Sequence, residues 1–306
     1  MPFDPVLLPI GEVTRLTGVN PATLRAWERR YGLIVPQRTG KGHRLYTQDH
    51  VQRIRQILRW LNHGVAVGQV KVLLNNPSGE SEKRIGNDWA NLQQQLIEAI
   101  VALAERRLDQ QLNQVMALYP ATTLCEHLLM PLLGTLELRW QGRFGARQEQ
   151  VFFCFWLRSK LGARIHHNNQ PLGGPPLLVV NGSTLEFDPQ LWLCAWLASD
   201  AGCPVAILEW SVPASELAIA VARIQPRALL LCLGKAVNLR QLERSLIGIE
   251  VPTFLSGSAV SIHRQAIEAW MHADLQLSVT PLAALEALQR LQVTRGAALD
   301  REAPCN

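Results

Sequence analysis

Apolar residues recur at helical spacing in a short segment near the N-terminus. Leu24, Trp27 and Tyr31 fall on one side of residues 20–32, as expected of a helix that buries one face. The segment opens with Asn20-Pro21, a capping residue followed by a proline that needs no N–H there, and it closes with a glycine suited to a left-handed turn. The polar residues left outside the apolar face are Thr23, Arg25, Arg29 and Arg30.

The segments on either side of this helix complete a recognisable motif. Residues 10–17 predict a first short helix that ends at Gly18, so the two helices form a helix-turn-helix. After it, Gly40 and Gly42 lie between strand-prone residues and predict a β-hairpin. The hairpin is basic, which indicates either a wing that grips phosphates or an ordinary surface loop. Two further helices are predicted at 47–62 and 67–74.

The remainder of the chain shows two other patterns. From residue 88 to about 167 apolar residues keep helical spacing in four successive stripes, which predicts a four-helix bundle. The C-terminal third alternates short apolar runs with helical segments, which predicts a doubly wound α/β domain with buried parallel strands. The predicted strands are 177–180, 205–208, 228–233 and 251–255, and the predicted helices lie near 189–201, 214–224, 239–247, 259–271 and 281–292.

Polar segments rich in turn formers divide the chain into domains. We predict a multidomain α and α/β protein whose parts are a winged helix-turn-helix at 1–76, a linker at 77–87, a helical bundle at 88–168, a linker at 169–176, an α/β domain at 177–295 and a tail at 296–306.

Charge is concentrated in the first of these domains. Residues 1–76 hold eleven Lys and Arg against four acids, a net charge of +7, and because the whole chain carries +5 the remainder carries −2. A basic block on a nearly neutral body is the pattern of a nucleic-acid-binding module.

Other functional classes find less support in the composition. The six cysteines have no C-x-x-C spacing, so neither a zinc site nor a disulfide framework is indicated. No apolar run reaches the length of about 20 residues that a membrane span needs, and no export signal is recognisable. We therefore expect a cytoplasmic, nucleoid-associated protein with no membrane partner. No paired carboxylates, Ser-His-Asp arrangement or phosphate loop is found in a recognisable context, so we expect no enzymatic activity.

The run TLRAWERRYGL at 23–33, followed by PQR at 36–38 and GHRLY at 42–46, resembles the DNA-binding domain of the MerR family. The resemblance implies that Arg25 contacts DNA from the recognition helix and that Arg38, Arg44 and Tyr46 contact the backbone from the wing. Trp27 either packs beneath the helix or touches a sugar-phosphate. The full set of predicted DNA-binding residues is Thr23, Arg25, Trp27, Arg29, Arg30, Arg38, Lys41, His43, Arg44 and Tyr46.

The RAWERRYGL version of the motif resembles a branch of that family that includes cobalamin-dependent light-responsive repressors and curli regulators. This implies that the bundle and the flavodoxin-like α/β domain form a cobalamin-binding-like module. In those relatives a D-x-H-x-x-G loop supplies the cobalt ligand, but the corresponding loop here, 181–188, has no histidine. None occurs between His167 and His263.

Two further positions depart from the cobalamin-binding pattern. Trp140 is followed by Glu149-Gln150 where a Glu-His pair is expected, and the later glycine pair is reduced to Ser256-Gly257. We therefore expect a degenerate sensor that holds no cofactor, neither cobalamin nor a metal. His166-His167 is expected to be a solvated helix end.

The resemblance implies a transcriptional regulator that binds double-stranded promoter DNA as a homodimer, distorts it and acts with RNA polymerase, usually to activate. Three alternatives stay open. The first is a cobalamin-dependent light-responsive repressor. The second is a corrinoid methyltransferase subunit with an incidental DNA-binding motif. The third is a regulator whose residues 88–306 bind a protein or a nucleotide signal.

Overall fold

The computed structural model describes residues 7–75, 86–184, 187–235, 237–270 and 275–302. The predicted linker at 77–87 lies outside these residues apart from its last two. The chain divides into two compact units, Met1–Phe152 and Phe153–Asn306. The division falls inside the last helix of the predicted bundle.

The N-terminal part of the first unit is a winged helix-turn-helix, as predicted. Its helices are α1 (Ile10–Thr17), α2 (Pro21–Ala26), α3 (Gln48–Asn62) and α4 (Val67–Asn75), and its strands are β1 (Leu8–Pro9), β2 (Gln37–Arg38) and β3 (Arg44–Tyr46). β2 and β3 form the expected hairpin. β1 was not predicted, and it pairs antiparallel with β3 so that the wing is a three-stranded sheet in the order β1-β3-β2.

Local capping fixes the second helix. The Asn20 side chain accepts a 2.9 Å hydrogen bond from the Thr23 N–H, and Pro21 occupies the first helical position. Gly18 and Gly32 take the left-handed conformation, with φ of 72° and 56°, a region that glycine enters without strain. The helix continues past Ala26 as a π-helical turn, Trp27–Tyr31, which the sequence pattern did not predict.

The second half of the first unit is helical. It contains α5 (Gly86–Val101), α6 (Glu105–Met116), α7 (Ala121–Leu124), α8 (Met130–Trp140) and the start of α9 (Ala146–Asn169), and a π-helical turn (Cys125–Leu129) joins α7 to α8. The third predicted helix is therefore interrupted. Leu96, Ile100, Leu108, Leu112 and Leu132 are buried in the core, at the positions that the apolar stripes predicted.

The second unit contains a five-stranded parallel sheet in the order β5-β4-β6-β7-β8, which is the doubly wound arrangement predicted. Its strands are β4 (Leu177–Asn181), β5 (Val205–Leu208), β6 (Ala228–Cys232), β7 (Thr253–Ser256) and β8 (Leu275–Ser278), and its helices are α10 (Pro189–Asp200), α11 (Ala214–Ile224), α12 (Leu239–Leu246), α13 (Ser258–Glu268) and α14 (Pro281–Glu302). β8 was missed because its edge position leaves Gln276 exposed and breaks the apolar run. α14 also extends into the predicted tail.

One side chain from α9, that of Asn169, hydrogen-bonds to the backbone of the edge strand β5. The Asn169 amide donates to the Val205 carbonyl at 2.8 Å and accepts from the Val205 N–H at 3.1 Å. Val205 begins the edge strand β5, so its two backbone groups are satisfied without another strand.

Candidate nucleic-acid interface

Most of the predicted cationic contacts lie on the surface of the winged domain. Arg25 lies on α2, Arg29 and Arg30 on the π-helical turn, and Lys41 and His43 in the hairpin loop. All five are exposed. Exposed guanidinium and ammonium groups next to a helix-turn-helix are the groups that contact DNA phosphates and base edges.

The wing arginines converge on a single acid of the recognition segment. Arg38 Nη2 lies 2.8 Å from Glu28 Oε1, and Arg44 Nε lies 2.5 Å from Glu28 Oε2. The Arg38 side chain keeps 51% of its surface exposed, and the Arg44 side chain keeps 24%. Glu28 therefore joins the helix and the wing into one surface.

The protonation state of Glu28 follows from these contacts. Partial burial alone would raise its pKa, but the hydrogen bonds from Arg44 and Arg38 outweigh burial and leave the pKa below its ordinary value. Glu28 is therefore an anion at neutral pH. Sequence reasoning did not identify it, although one signal was present: Glu28 is the only acid between Glu12 and Asp49.

Three of the predicted DNA contacts need correction because their side chains are buried. Thr23 and Trp27 have no exposed surface, and Tyr46 is 1% exposed. Thr23 is the third residue of α2 and is buried together with Leu24 and Ala26. Tyr46 points from β3 into the core, where burial raises the pKa of its phenol. These residues support the reading surface from beneath.

Trp27 also connects the recognition segment to the helical half of the same unit. Its indole N–H donates a 2.8 Å hydrogen bond to the carbonyl of Leu118, which follows α6. The interpretation of Trp27 as a packing residue is therefore the one that the contacts favour.

Further hydrogen bonds hold the corner between α3 and α4 against the bundle. The Trp89 indole N–H donates to the Gly64 carbonyl at 2.8 Å, and the Tyr119 hydroxyl accepts from the Val67 N–H at 3.2 Å. His127 Nε2 lies 3.0 Å from the Asn62 carbonyl. The rings of Trp89 and Tyr119 pack with centroids 4.7 Å apart. The winged domain is thus docked directly on the helices of the same unit.

The carboxyl ends of the parallel strands, where such a sheet binds ligands, enclose little space. A cavity of about 30 Å³ lies between the ends of β4 and β6, lined by Asn181, Ser183 and residues of α11 and α12. The Asn181 side chain accepts hydrogen bonds from both the N–H and the hydroxyl of Ser183.

Leu233 closes the neighbouring space. It is fully buried, and a Cβ placed on Gly182 would lie 2.7 Å from its side chain. Gly257 adopts a φ of 133°, and a Cβ placed there would lie 2.3 Å from the Leu233 carbonyl oxygen. Leu233 therefore packs its side chain against Gly182 and its backbone against Gly257. Asp188, in the loop after β4, caps α10 by accepting from the Gln190 N–H.

Two further acids, Glu149 and Glu209, are also held by their neighbours. Glu149 is 6% exposed and accepts two hydrogen bonds from Arg139, at 2.8 and 3.1 Å. The hydrogen bond from Arg139 lowers the pKa of Glu149. In the second unit Glu209 accepts from Trp192 at 3.2 Å and lies 3.3 Å from Arg158.

Within the described residues there is no group of three or more His, Cys, Asp or Glu arranged to hold a metal ion. The same part of the chain has no helix with the length and apolar character required to cross a membrane.

Known families match the winged domain and the helical bundle. The family described as MerR HTH family regulatory protein matches residues 8–76, and the B12 binding domain matches residues 92–165. The HTH-type transcriptional regulator MlrA of Escherichia coli (strain K12) is 34% identical over 212 residues, covering 67% of this chain and 81% of that protein. The HTH-type transcriptional repressor CarH of Myxococcus xanthus is 26% identical over 276 residues, covering 85% of this chain and 91% of that protein.

Among solved structures, a cobalamin-binding protein from Desulfitobacterium hafniense aligns with a TM-score of 0.33 at 17% identity. The alignment covers 66% of this chain and 98% of that one. A similarity of this size carries no weight for function.

Proposed function

This chain belongs to the MerR family of transcriptional regulators, and we propose that it binds promoter DNA sequence-specifically through its winged helix-turn-helix. The observation that carries the proposal is the cluster of exposed cations on α2, the π-helical turn and the wing. Similarity to MlrA proteins supports a regulator in place of an enzyme.

Within this proposal the exposed cations take different roles. Arg25 reads base edges in the major groove, because it projects from the recognition helix and a guanidinium pairs well with guanine. Arg29, Arg30, Lys41 and His43 contact phosphates, which fixes the register and makes the affinity depend steeply on salt. Arg38 and Arg44 grip the backbone from the wing.

The same proposal covers assembly and location. The protein binds an inverted repeat as a homodimer, distorts the promoter and acts with RNA polymerase, most simply as an activator in the cytoplasm. Exposed apolar residues of the helical half, Leu138, Phe144 and Val151, support a protein surface within residues 88–306 for a partner or a second copy.

We further propose that the sensor half works without cobalamin. The residues at the strand ends do not fit that group, since the loop sequence provides no histidine ligand and the Leu233 side chain packs directly against Gly182. Control of DNA binding is then exerted through the bundle, whose contacts with Trp27 and Gly64 reach the recognition segment.

Arg25→Ala tests the DNA-binding assignment. We expect specific affinity to fall about 10- to 100-fold, which corresponds to the loss of a bidentate base contact, while the melting temperature stays unchanged because Arg25 is exposed. Fluorescence anisotropy with a duplex selected by the wild-type protein from a randomised pool measures the loss. Arg240→Ala, an exposed arginine on α12, is the matched control. Unchanged affinity in R25A would exclude Arg25 as a reading residue.

A titration with adenosylcobalamin separates this proposal from a light-responsive repressor. We expect no change in the absorption spectrum of the cofactor and no light-dependent change in DNA affinity. A spectral shift that saturates at one equivalent would show that the sensor half holds cobalamin after all.

A further inference from the structure

The two wing arginines stand directly opposite each other. Arg38 on β2 and Arg44 on β3 are partners in the antiparallel register, and like charges at such positions destabilise a hairpin. The strands that carry them are two and three residues long, so little backbone pairing is available to offset the repulsion. An anion placed between the guanidinium groups removes it.

Glu28 is placed in this position. Each of its carboxylate oxygens accepts from a different arginine, at 2.8 Å from Arg38 and 2.5 Å from Arg44, and its side chain is 17% exposed. Each guanidinium has five N–H donors, so one contact with Glu28 leaves donors on both arginines for phosphate oxygens. The partial exposure of Arg38 and Arg44 keeps those donors accessible.

We propose that Glu28 is a positioning residue for DNA recognition: it holds Arg38 and Arg44 in the geometry that grips the DNA backbone and couples the wing to the recognition helix. The inference rests on the proposed DNA-binding function. Glu28 does not touch DNA in this account, and it acts through the two arginines.

The negative charge of Glu28 also repels DNA phosphates, an effect opposite to that of positioning the arginines. The two effects can be separated by experiment. Because Glu28 carries −1 next to the phosphates, its charge weakens binding to every DNA sequence. Holding the arginines in place strengthens binding only where the recognition helix is also in register. Glu28 should therefore favour specific over non-specific binding, and its removal should affect the two in different ways.

The experiment compares Glu28→Gln with Glu12→Gln in the full chain. Glu12 forms an exposed ion pair with Arg15 on α1, so E12Q makes the same change in net charge without touching the wing. The probes are the duplex selected by the wild-type protein and a scrambled duplex of the same composition. Affinity is measured by anisotropy over a series of salt concentrations, and folding is checked by circular dichroism.

We expect E28Q to bind the selected duplex about tenfold more weakly, because Arg38 and Arg44 lose the geometry that contacts the phosphates. We expect it to bind the scrambled duplex at least as tightly as E12Q does, because the charge that it removes lies closer to the DNA. The slope of log affinity against log salt on the selected duplex should become shallower by about one to two, because each phosphate contact contributes about 0.9. A role limited to stability would not change this slope.

The outcomes distinguish the inference from the function beneath it. If the wild-type protein selects no sequence, the proposed function fails. If it selects one and E28Q matches E12Q on both duplexes, only the role of Glu28 is overturned. Should E28Q melt at a lower temperature, Arg38→Gln provides the second test. The double variant E28Q/R38Q should lose less specific affinity than the two single variants lose together, and a fully additive loss would overturn the inference.

Discussion

The winged domain and the strand-end edge of the α/β domain are both positions where related folds bind a ligand, and they differ in how their polar groups are used. In the winged domain Arg25, Arg29 and Arg30 are exposed, and the acid Glu28 holds two more arginines while leaving them accessible. At the strand ends Asn181 and Ser183 bond to each other, and Leu233 packs its side chain against Gly182 and its backbone against Gly257. One site is open, and the other is closed.

The difference shows that polar groups in one region bond within the chain, whereas in the other they stay accessible to a ligand. The parallel sheet still has the strand order that creates a crevice. Its glycines still permit close approach, but what approaches is a leucine of the chain itself.

The largest expected effect comes from breaking the closed edge. Gly257→Ala would place a Cβ 2.3 Å from the Leu233 carbonyl oxygen in a backbone conformation that disfavours side chains. We expect the free energy of unfolding of the second unit to fall by about 4 kcal/mol, measured by urea denaturation. Gly173→Ala, where an added Cβ meets nothing within 4 Å, should be neutral. Equal stability of G257A and wild type would show that the edge is open.

A second prediction contrasts the acids of the two regions. Arg44 and Arg38 overcome the effect of burial at Glu28, whereas burial raises the pKa of Asp200, at the end of α10, to about 6, partly offset by Arg164. A carboxyl whose pKa is higher in the folded state holds its proton better there, so its stabilising contribution is complete below about pH 4 and is lost as pH rises through about 6.

Asp200→Asn should therefore stabilise the protein at pH 7. We expect a gain of about 1 to 2 kcal/mol, reduced from the full pKa difference because the residue is only half-buried. The gain should vanish near pH 4, as followed by denaturation across that interval. A gain that is the same at both pH values would contradict the role of burial.

The smallest expected effect tests whether Trp27 is a packing residue of the winged domain. Trp27→Phe removes the donor to the Leu118 carbonyl, which should lower the stability of the first unit by about 1 kcal/mol. The selected DNA sequence should not change, because Trp27 is fully buried. Trp210→Phe, at an exposed position, is the control for both measurements. A new base preference in W27F would restore Trp27 as a DNA contact.

The parts predicted from sequence are those that neighbouring residues determine. Asn20, Pro21 and Gly32 act within one or two turns of the chain, so their roles were readable. The apolar stripes and the buried strands also follow from local periodicity. β1 and β8 depend on partners far along the chain, and short or half-exposed edge strands leave a weak pattern.

The candidate site was predicted less completely for a related reason. The exposed cations were found because charge and spacing are visible in the sequence, but Thr23 and Tyr46 were assigned to DNA although tertiary packing buries them. Glu28 was missed because its role requires knowing that residues 38 and 44 meet in space. An acid isolated in a basic stretch is the signal that could have revealed it.

The docking of the α3–α4 corner on the bundle has a consequence for the length of the operator. Since Asn62, Gly64 and Val67 bond to bundle residues, a swing of the recognition helix relative to the bundle would have to break these hydrogen bonds. In a dimer, the surface through which the two protomers pair would then set the distance between the two recognition helices. When the protein binds an operator with altered half-site spacing, the DNA would have to bend or twist, because the distance between the two recognition helices would not change.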